Sequence, residues 1–324
     1  MLNSFDPPVV LGNRHMQSIM ASLKIRKPFV YRKAKNMLKN ARTVIVDCGG
    51  GVRLGGKYSC GGKENRNLAV LIHGWEGSVD SMYLISAAGY LFDRGFDVFR
   101  LNLRDHGDTH HLNRGIFHSC RIDEVVGAVK RIGEMFPHER LCMGGFSLGG
   151  NFSIRVAMRA PENGFRLNRV VAVSPVIVPA KTMKEIETGF PVYNGYFLKK
   201  WRRSLFRKRM LFPELTDLTE LEKHDTIALL TDFLVSRFTD FPDTAAYFKG
   251  YTLTDEAMKK LEVPVHIIAG ADDPVIPVKD VDALPRTDFL HIEILQKGGH
   301  CGFLKNWRLE SLAEERMAEL FLKK

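Results

Sequence analysis

The run LAVLIHG at 68–74 is rich in leucine and β-branched residues and ends in glycine. A strand of that kind offers no polar face to water, so it belongs in a parallel sheet covered on both sides. Similar runs stand at 97–103 (DVFRLNL), 140–146 (RLCMGGF), 169–176 (RVVAVSPV), 263–270 (VPVHIIAG) and 289–295 (FLHIEIL). Helical periodicity separates them: Met82, Leu84, Ile85 and Ala88 share one face, and 125–136 and 147–160 read as helices, the latter stopped before Pro161. A last helix is expected from about Trp307 to Leu322. This alternation predicts an α/β fold with a mostly parallel, twisted sheet and helices on both faces. The segments 41–47 and 52–58 have the spacing of an antiparallel hairpin added at the sheet edge.

The alternation breaks between about 180 and 259, where several helical stretches occur without a buried strand. The expected division is a core built from 1–179 and 260–324, with 180–259 a helical lid inserted after the sixth strand. No internal repeat or Ser/Gly-rich linker divides the chain further. With 324 residues, 45% of them hydrophobic and 26% charged, one large domain can bury its own core.

Acidic, proline, arginine and histidine residues interrupt the first twenty positions, and no later stretch has the apolar length of a membrane span. The expectation is a soluble, cytoplasmic protein without a transmembrane segment. Cys48, Cys60, Cys120, Cys142 and Cys301 are odd in number and lack CxxC spacing, so neither a disulfide framework nor a zinc site is expected. The net charge of +10 is local: it comes largely from Arg26, Lys27, Arg32, Lys33, Lys35 and Lys39, and from the run between Lys199 and Arg209.

Chemistry concentrates at strand ends. Gly145-Phe146-Ser147-Leu148-Gly149 is a G-x-S-x-G sequence between a strand and a helix, the setting of a nucleophile elbow. Downstream, Ala271-Asp272-Asp273-Pro274 follows one predicted strand and Gly298-Gly299-His300 follows the next. That is the chain order Ser, Asp, His that such a sheet requires. Asp273 is preferred as the acid because Asp273-Pro274-Val275-Ile276-Pro277 has the usual pattern after it, whereas Asp272 reads as a turn residue. His300 would then take the proton of Ser147. His73-Gly74-Trp75-Glu76-Gly77 ends the strand at 68–74, so the backbone N–H groups of Trp75 and Leu148 are the expected oxyanion-hole donors. The Trp75 indole reads equally as pocket wall or as core. Phe146, Trp75, Phe190, Tyr193 and Phe238 are the aromatic residues available for a greasy pocket. Asp105, His106, Asp108, His110 and His111 cluster after the strand at 97–103, but their spacing fits no zinc pattern and reads as a polar rim. Neither metal nor cofactor is expected.

These motifs, with Asn13-Arg14-His15-Met16-Gln17-Ser18, Ser78, Asn151 and Cys301-Gly302-Phe303, resemble the YheT-like branch of the α/β-hydrolase superfamily. That group includes the animal ABHD phospholipase-like and plant embryogenesis-associated hydrolases. The resemblance covers nearly the whole chain and is weakest between about 180 and 225. It implies hydrolysis of carboxylic esters, often acyl lipids, by a Ser-His-Asp triad. Arg104-Asp105-His106-Gly107 departs from the family's usual Arg-Gly segment at the rim and leaves the triad residues untouched.

In the insertion, Phe197, Trp201 and Leu205 recur at i, i+4 and i+8, giving a helix with an apolar stripe. Lys199, Lys200, Arg202, Arg203, Arg207, Lys208 and Arg209 would make its cationic face. That face reads as a solvated surface, as a contact for an anionic lipid surface, or as one for an acidic acyl carrier protein; nucleic acid is not expected. The leading functional expectation is an esterase acting on esters or thioesters through an acyl-serine. The alternatives are acyl transfer on the same triad and a non-catalytic scaffold that binds an acidic partner or a membrane.

Overall fold

The structure is a computed structural model that describes residues 5–61 and 67–323. Its sheet has eight strands: β1 (Arg42–Asp47), β2 (Arg53–Ser59), β3 (Asn67–Ile72), β4 (Asp97–Leu101), β5 (Arg140–Phe146), β6 (Arg169–Val173), β7 (Val265–Gly270) and β8 (Leu290–Leu295). Their order is β1-β2-β4-β3-β5-β6-β7-β8. The hairpin β1–β2 joins β4 antiparallel, and every pairing from β4 across to β8 is parallel.

The helices before β5 are α1 (Arg14–Ser22), α2 (Lys27–Lys33), α3 (Lys35–Lys39), α4 (Met82–Phe92) and α5 (Ile122–Met135). After it come α6 (Leu148–Arg159), α7 (Pro179–Thr188), α8 (Pro191–Leu211), α9 (Ile227–Phe238), α10 (Thr244–Lys249), α11 (Asp255–Met258), α12 (Val278–Asp282) and α13 (Leu312–Leu322). Helices α7 to α11 fill the connection between β6 and β7, where the sequence lacks a strand.

The uniformly apolar character of β3 has a simple origin. Leu68, Val70 and Ile72 point into one core with α5 and α6, while Ala69 and Leu71 point into the other with α4 and α13. Alternate residues face opposite sides of a strand, so burying both faces demands apolar residues throughout.

Three local readings change. Residues 14–39, to which the sequence reading assigns no element, form three short helices; α1 starts where the Asn13 side chain accepts N–H bonds from His15 and Met16, and α2 and α3 pack on α4. The strand expected over 169–176 stops at Val173 because Ser174 turns to φ 45°. The last helix begins at Leu312, not Trp307. There the Asn306 side chain accepts from the N–H groups of Arg308 and Glu310 and curls the chain into a turn that leaves Trp307 65% exposed.

Candidate active site

Strand β5 ends at Phe146 and α6 begins at Leu148, so Ser147 is the turn between them, with φ 53° and ψ −118°. Such a conformation costs a non-glycine residue roughly 1–3 kcal/mol and persists only where its surroundings enforce it. Here the Ser147 N–H donates to the Val173 carbonyl at 2.9 Å, and its own carbonyl accepts from Asn151 N at 3.1 Å. A Cβ on Gly149 would lie 2.4 Å from the carbonyl oxygens of both Ile72 and His73. Helix α6 can therefore approach the end of β3 only with glycine at that position.

The two acidic residues after β7 divide their work. Oδ1 of Asp273 accepts from the N–H groups of Val275 and Ile276 at 2.8 and 2.9 Å, which leaves Oδ2 for His300 Nδ1 at 3.0 Å. Asp272 instead accepts from Gly299 N at 2.9 Å and pins the loop that carries the histidine. The Asp273 side chain is 2% exposed and that of His300 13%. Burial pushes His300 down, but the Asp273 carboxylate, with Cys301 adding to it, holds the imidazole well above the ordinary histidine value. Among the described residues no hydrogen bond joins the Ser147 hydroxyl to His300. Catalytic contacts are commonly long in unliganded enzymes and tighten around substrate.

The loop after β3 is splinted by two neutral histidines. His73 Nδ1 donates to the Gly74 carbonyl at 2.7 Å and its Nε2 accepts from Leu103 N at 3.2 Å. His106 Nδ1 donates to the Arg104 carbonyl at 2.7 Å and its Nε2 accepts from Glu76 N at 3.1 Å. One donor and one acceptor per ring is what neutral imidazole supplies. Burial agrees, pushing His106 down to about 4 and His73 well below the ordinary histidine value. Among the described residues, neither the Trp75 N–H nor the Leu148 N–H has a protein acceptor.

The Trp75 indole stacks on Phe197 at a centroid distance of 5.2 Å and meets Trp201 edge-on at 5.0 Å. These three residues, with Ser147, Leu148, Val176, Met183, Ile186, Leu234 and Phe248, line an apolar pocket between the sheet and the insertion. Of the five aromatic residues proposed for such a pocket only Trp75 lines it. Phe146 is buried beneath the other face of the sheet, Phe190 and Tyr193 pack on His15, and Phe238 packs on Phe233.

The cationic face of α8 is smaller than its sequence suggests. Lys208, 1% exposed, is buried with its Nζ 2.8 Å from Asp105 Oδ1, so it is unavailable to any partner surface. Lys200 donates to the Glu76 carbonyl at 2.8 Å, Arg202 to the His224 carbonyl, and Arg207 to the Gly107 carbonyl and to Asp108. Lys199 and Arg203 stay exposed, and Arg209 lies over Phe206. The polar cluster after β4 is the seat of this helix: besides Asp105 and Asp108, His110 Nε2 is hydrogen-bonded to Ser204 at 2.8 Å. Spacing alone could not reveal this, because the two halves of each pair lie about a hundred residues apart. Ser18 and Gln17, which hold the His300 loop, were visible only as part of a family motif.

A sheet of this order, with a strained serine at the β5–α6 turn and an Asp–His pair on the loops after β7 and β8, defines an α/β hydrolase. The chain belongs to the alpha/beta hydrolase fold family, whose pattern matches residues 68–306. Within it the chain lies in the YheT-like branch. It is 22% identical over 308 residues to the putative esterase YheT of Escherichia coli K12, covering 93% of this chain and 87% of that one. It is 24% identical over 196 residues to the monoacylglycerol lipase ABHD2 of Danio rerio, which covers 56% of this chain and 45% of the relative. Among solved structures, the Pyrococcus furiosus esterase Pf2001 superposes with a TM-score of 0.58 at 16% identity, covering 90% of this chain and 94% of that one. No helix among the described residues is long and apolar enough to cross a membrane.

Proposed function

We propose that the protein is a serine esterase that cleaves carboxylic esters with an aliphatic acyl group, through an acyl-serine intermediate. The observation that carries this reading is Ser147, held at φ 53° where it opens onto the apolar pocket beneath the insertion. In this reading His300 removes the hydroxyl proton as Ser147 Oγ bonds to the ester carbonyl carbon, with Asp273 fixing the ring through Nδ1. The carbonyl oxygen gains negative charge between the N–H groups of Trp75 and Leu148. As the intermediate collapses the C–O bond breaks, and His300 returns the proton to the departing alkoxide. Water, deprotonated by the same imidazole, then releases the acid and restores Ser147. Residues 180–259 serve as the lid, and the acyl chain lies along Trp75, Phe197 and Trp201. The names of the curated relatives, esterase and lipase, agree with this class of substrate.

The test is labelling with a fluorophosphonate probe, together with hydrolysis of p-nitrophenyl esters of graded chain length. Wild type should label and turn over, and Ser147→Ala should do neither while keeping its circular dichroism. Unchanged esterase activity in Ser147→Ala would overturn the proposal.

A further inference from the structure

The hexapeptide Asn13 to Ser18 lies far from Ser147, Asp273 and His300 in sequence, yet α1 is packed directly on the loop that bears His300. Ser18 Oγ accepts from the backbone N–H of His300 at 2.8 Å and donates to the Arg14 carbonyl at 2.7 Å. Its neighbour Gln17 is fully buried. The Gln17 carboxamide accepts from Leu304 N at 2.7 Å and donates to the carbonyls of Leu304 and Leu11 at 3.0 and 2.6 Å. One side chain thus reads both polar groups of a residue just past the histidine loop.

The loop is shaped to receive the helix. Gly299 sits at φ 53°, and a Cβ there would lie 2.4 Å from the Arg14 carbonyl and 2.7 Å from Ser18 Oγ. The neighbouring backbone groups are anchored too: Gly299 N on Asp272, and Cys301 N on Ser174 Oγ at 3.3 Å. Since Asp273 holds the ring and Ser18 holds the backbone of the same residue, both the place and the orientation of the imidazole are specified.

We propose that α1 is part of the catalytic apparatus, with Ser18 and Gln17 as positioning residues that hold His300 in line between Asp273 and Ser147. This role presupposes the hydrolase reading above. Misplacing a catalytic group by about 1 Å costs on the order of 10²-fold in rate. Loss of the Ser18 anchor is therefore felt in kcat, while the pocket that sets KM is untouched.

The experiment compares Ser18→Ala, Ser18→Thr and Ser59→Ala. Ser59 also spends its hydroxyl on a buried carbonyl, that of Met37 at 2.9 Å, on β2, six strands across the sheet from β8 and the loop that follows it. For each variant kcat, KM and melting temperature are measured on one p-nitrophenyl ester, and the downfield proton NMR signal of the His300–Asp273 hydrogen bond is recorded. Ser18→Ala should lower kcat by about tenfold or more, change KM less than about twofold, and shift or broaden the His300 signal. Ser18→Thr, which keeps the hydroxyl, should restore both, and Ser59→Ala should retain wild-type kcat. Wild-type kcat and an unchanged His300 signal in Ser18→Ala would overturn the proposal, as would an equal loss in Ser59→Ala. If Ser18→Ala does not fold, Ser18→Cys takes its place with the same readouts, its thiol being a poor acceptor for the His300 N–H. A wild type that hydrolyses no ester would defeat the esterase reading alone, because the NMR signal still reports whether Ser18 positions His300.

Discussion

His300 is governed by two opposed forces. Burial, the largest single influence, disfavours its charged form, and the Asp273 carboxylate at 3.0 Å together with Cys301 outweighs it. In the proposed mechanism the base is neutral imidazole, so kcat/KM should rise with pH through an inflection above the ordinary histidine value of about 6.5. Replacing Asp273 with Asn removes the main raising charge and leaves burial, the largest influence, opposed only by Cys301, so the inflection should move to lower pH. The same substitution frees the ring to turn, and kcat should fall by roughly 10²–10⁴-fold. A pH–rate profile of both proteins checks both statements, and an inflection that stays in place would remove Asp273 from its role. The choice of Asp273 over Asp272 was open to sequence reasoning because of the residues that follow it. What Asp272 does instead, bracing Gly299 from 27 positions away, was not, since a carboxylate's partner is set by how loops converge.

Helix α8 shows how charge in a sequence misleads about charge on a surface. Its apolar stripe is as periodicity requires: Phe197 and Trp201 line the pocket, and Leu205 is buried with α9. Its basic residues are largely spent on the body of the molecule. The pair Lys208–Asp105 is the extreme case, and removing one member of a buried pair strands the other's charge at a cost of about 3–5 kcal/mol. Lys208→Met should therefore lower stability by that amount in urea denaturation, whereas Lys199→Met, at an exposed position of the same helix, should stay within about 0.5 kcal/mol. Equal effects at the two sites would mean that α8 is not seated through Asp105. Arg104-Asp105-His106-Gly107, the departure from the family pattern, marks this seat, and His106 also splints the loop bearing Trp75.

At the scale of the molecule, the strands, their mostly parallel sheet and the antiparallel edge hairpin were legible because apolar runs and their alternation with helices are local patterns. Helices α1 to α3 were not, because short helices that bury only a few side chains each carry little periodicity. Removing residues 1–23 leaves Ser147, Asp273 and His300 in place but takes away α1. Fluorophosphonate labelling of such a chain should fall by about tenfold or more, with the far-ultraviolet circular dichroism largely retained. Full labelling would show that the histidine loop holds its shape unaided.

The bond between Ser18 and His300 spans 282 residues, and that separation sets an order of events during synthesis. At about 5–20 residues per second, α1 leaves the ribosome roughly 14–56 s before the loop it must hold. By the end of that interval the elbow and the insertion have been translated, while His300, the proposed base, comes last. On the proposed mechanism a nascent chain is inert towards esters until residue 300 has emerged, and activity arrives when the histidine loop docks on α1.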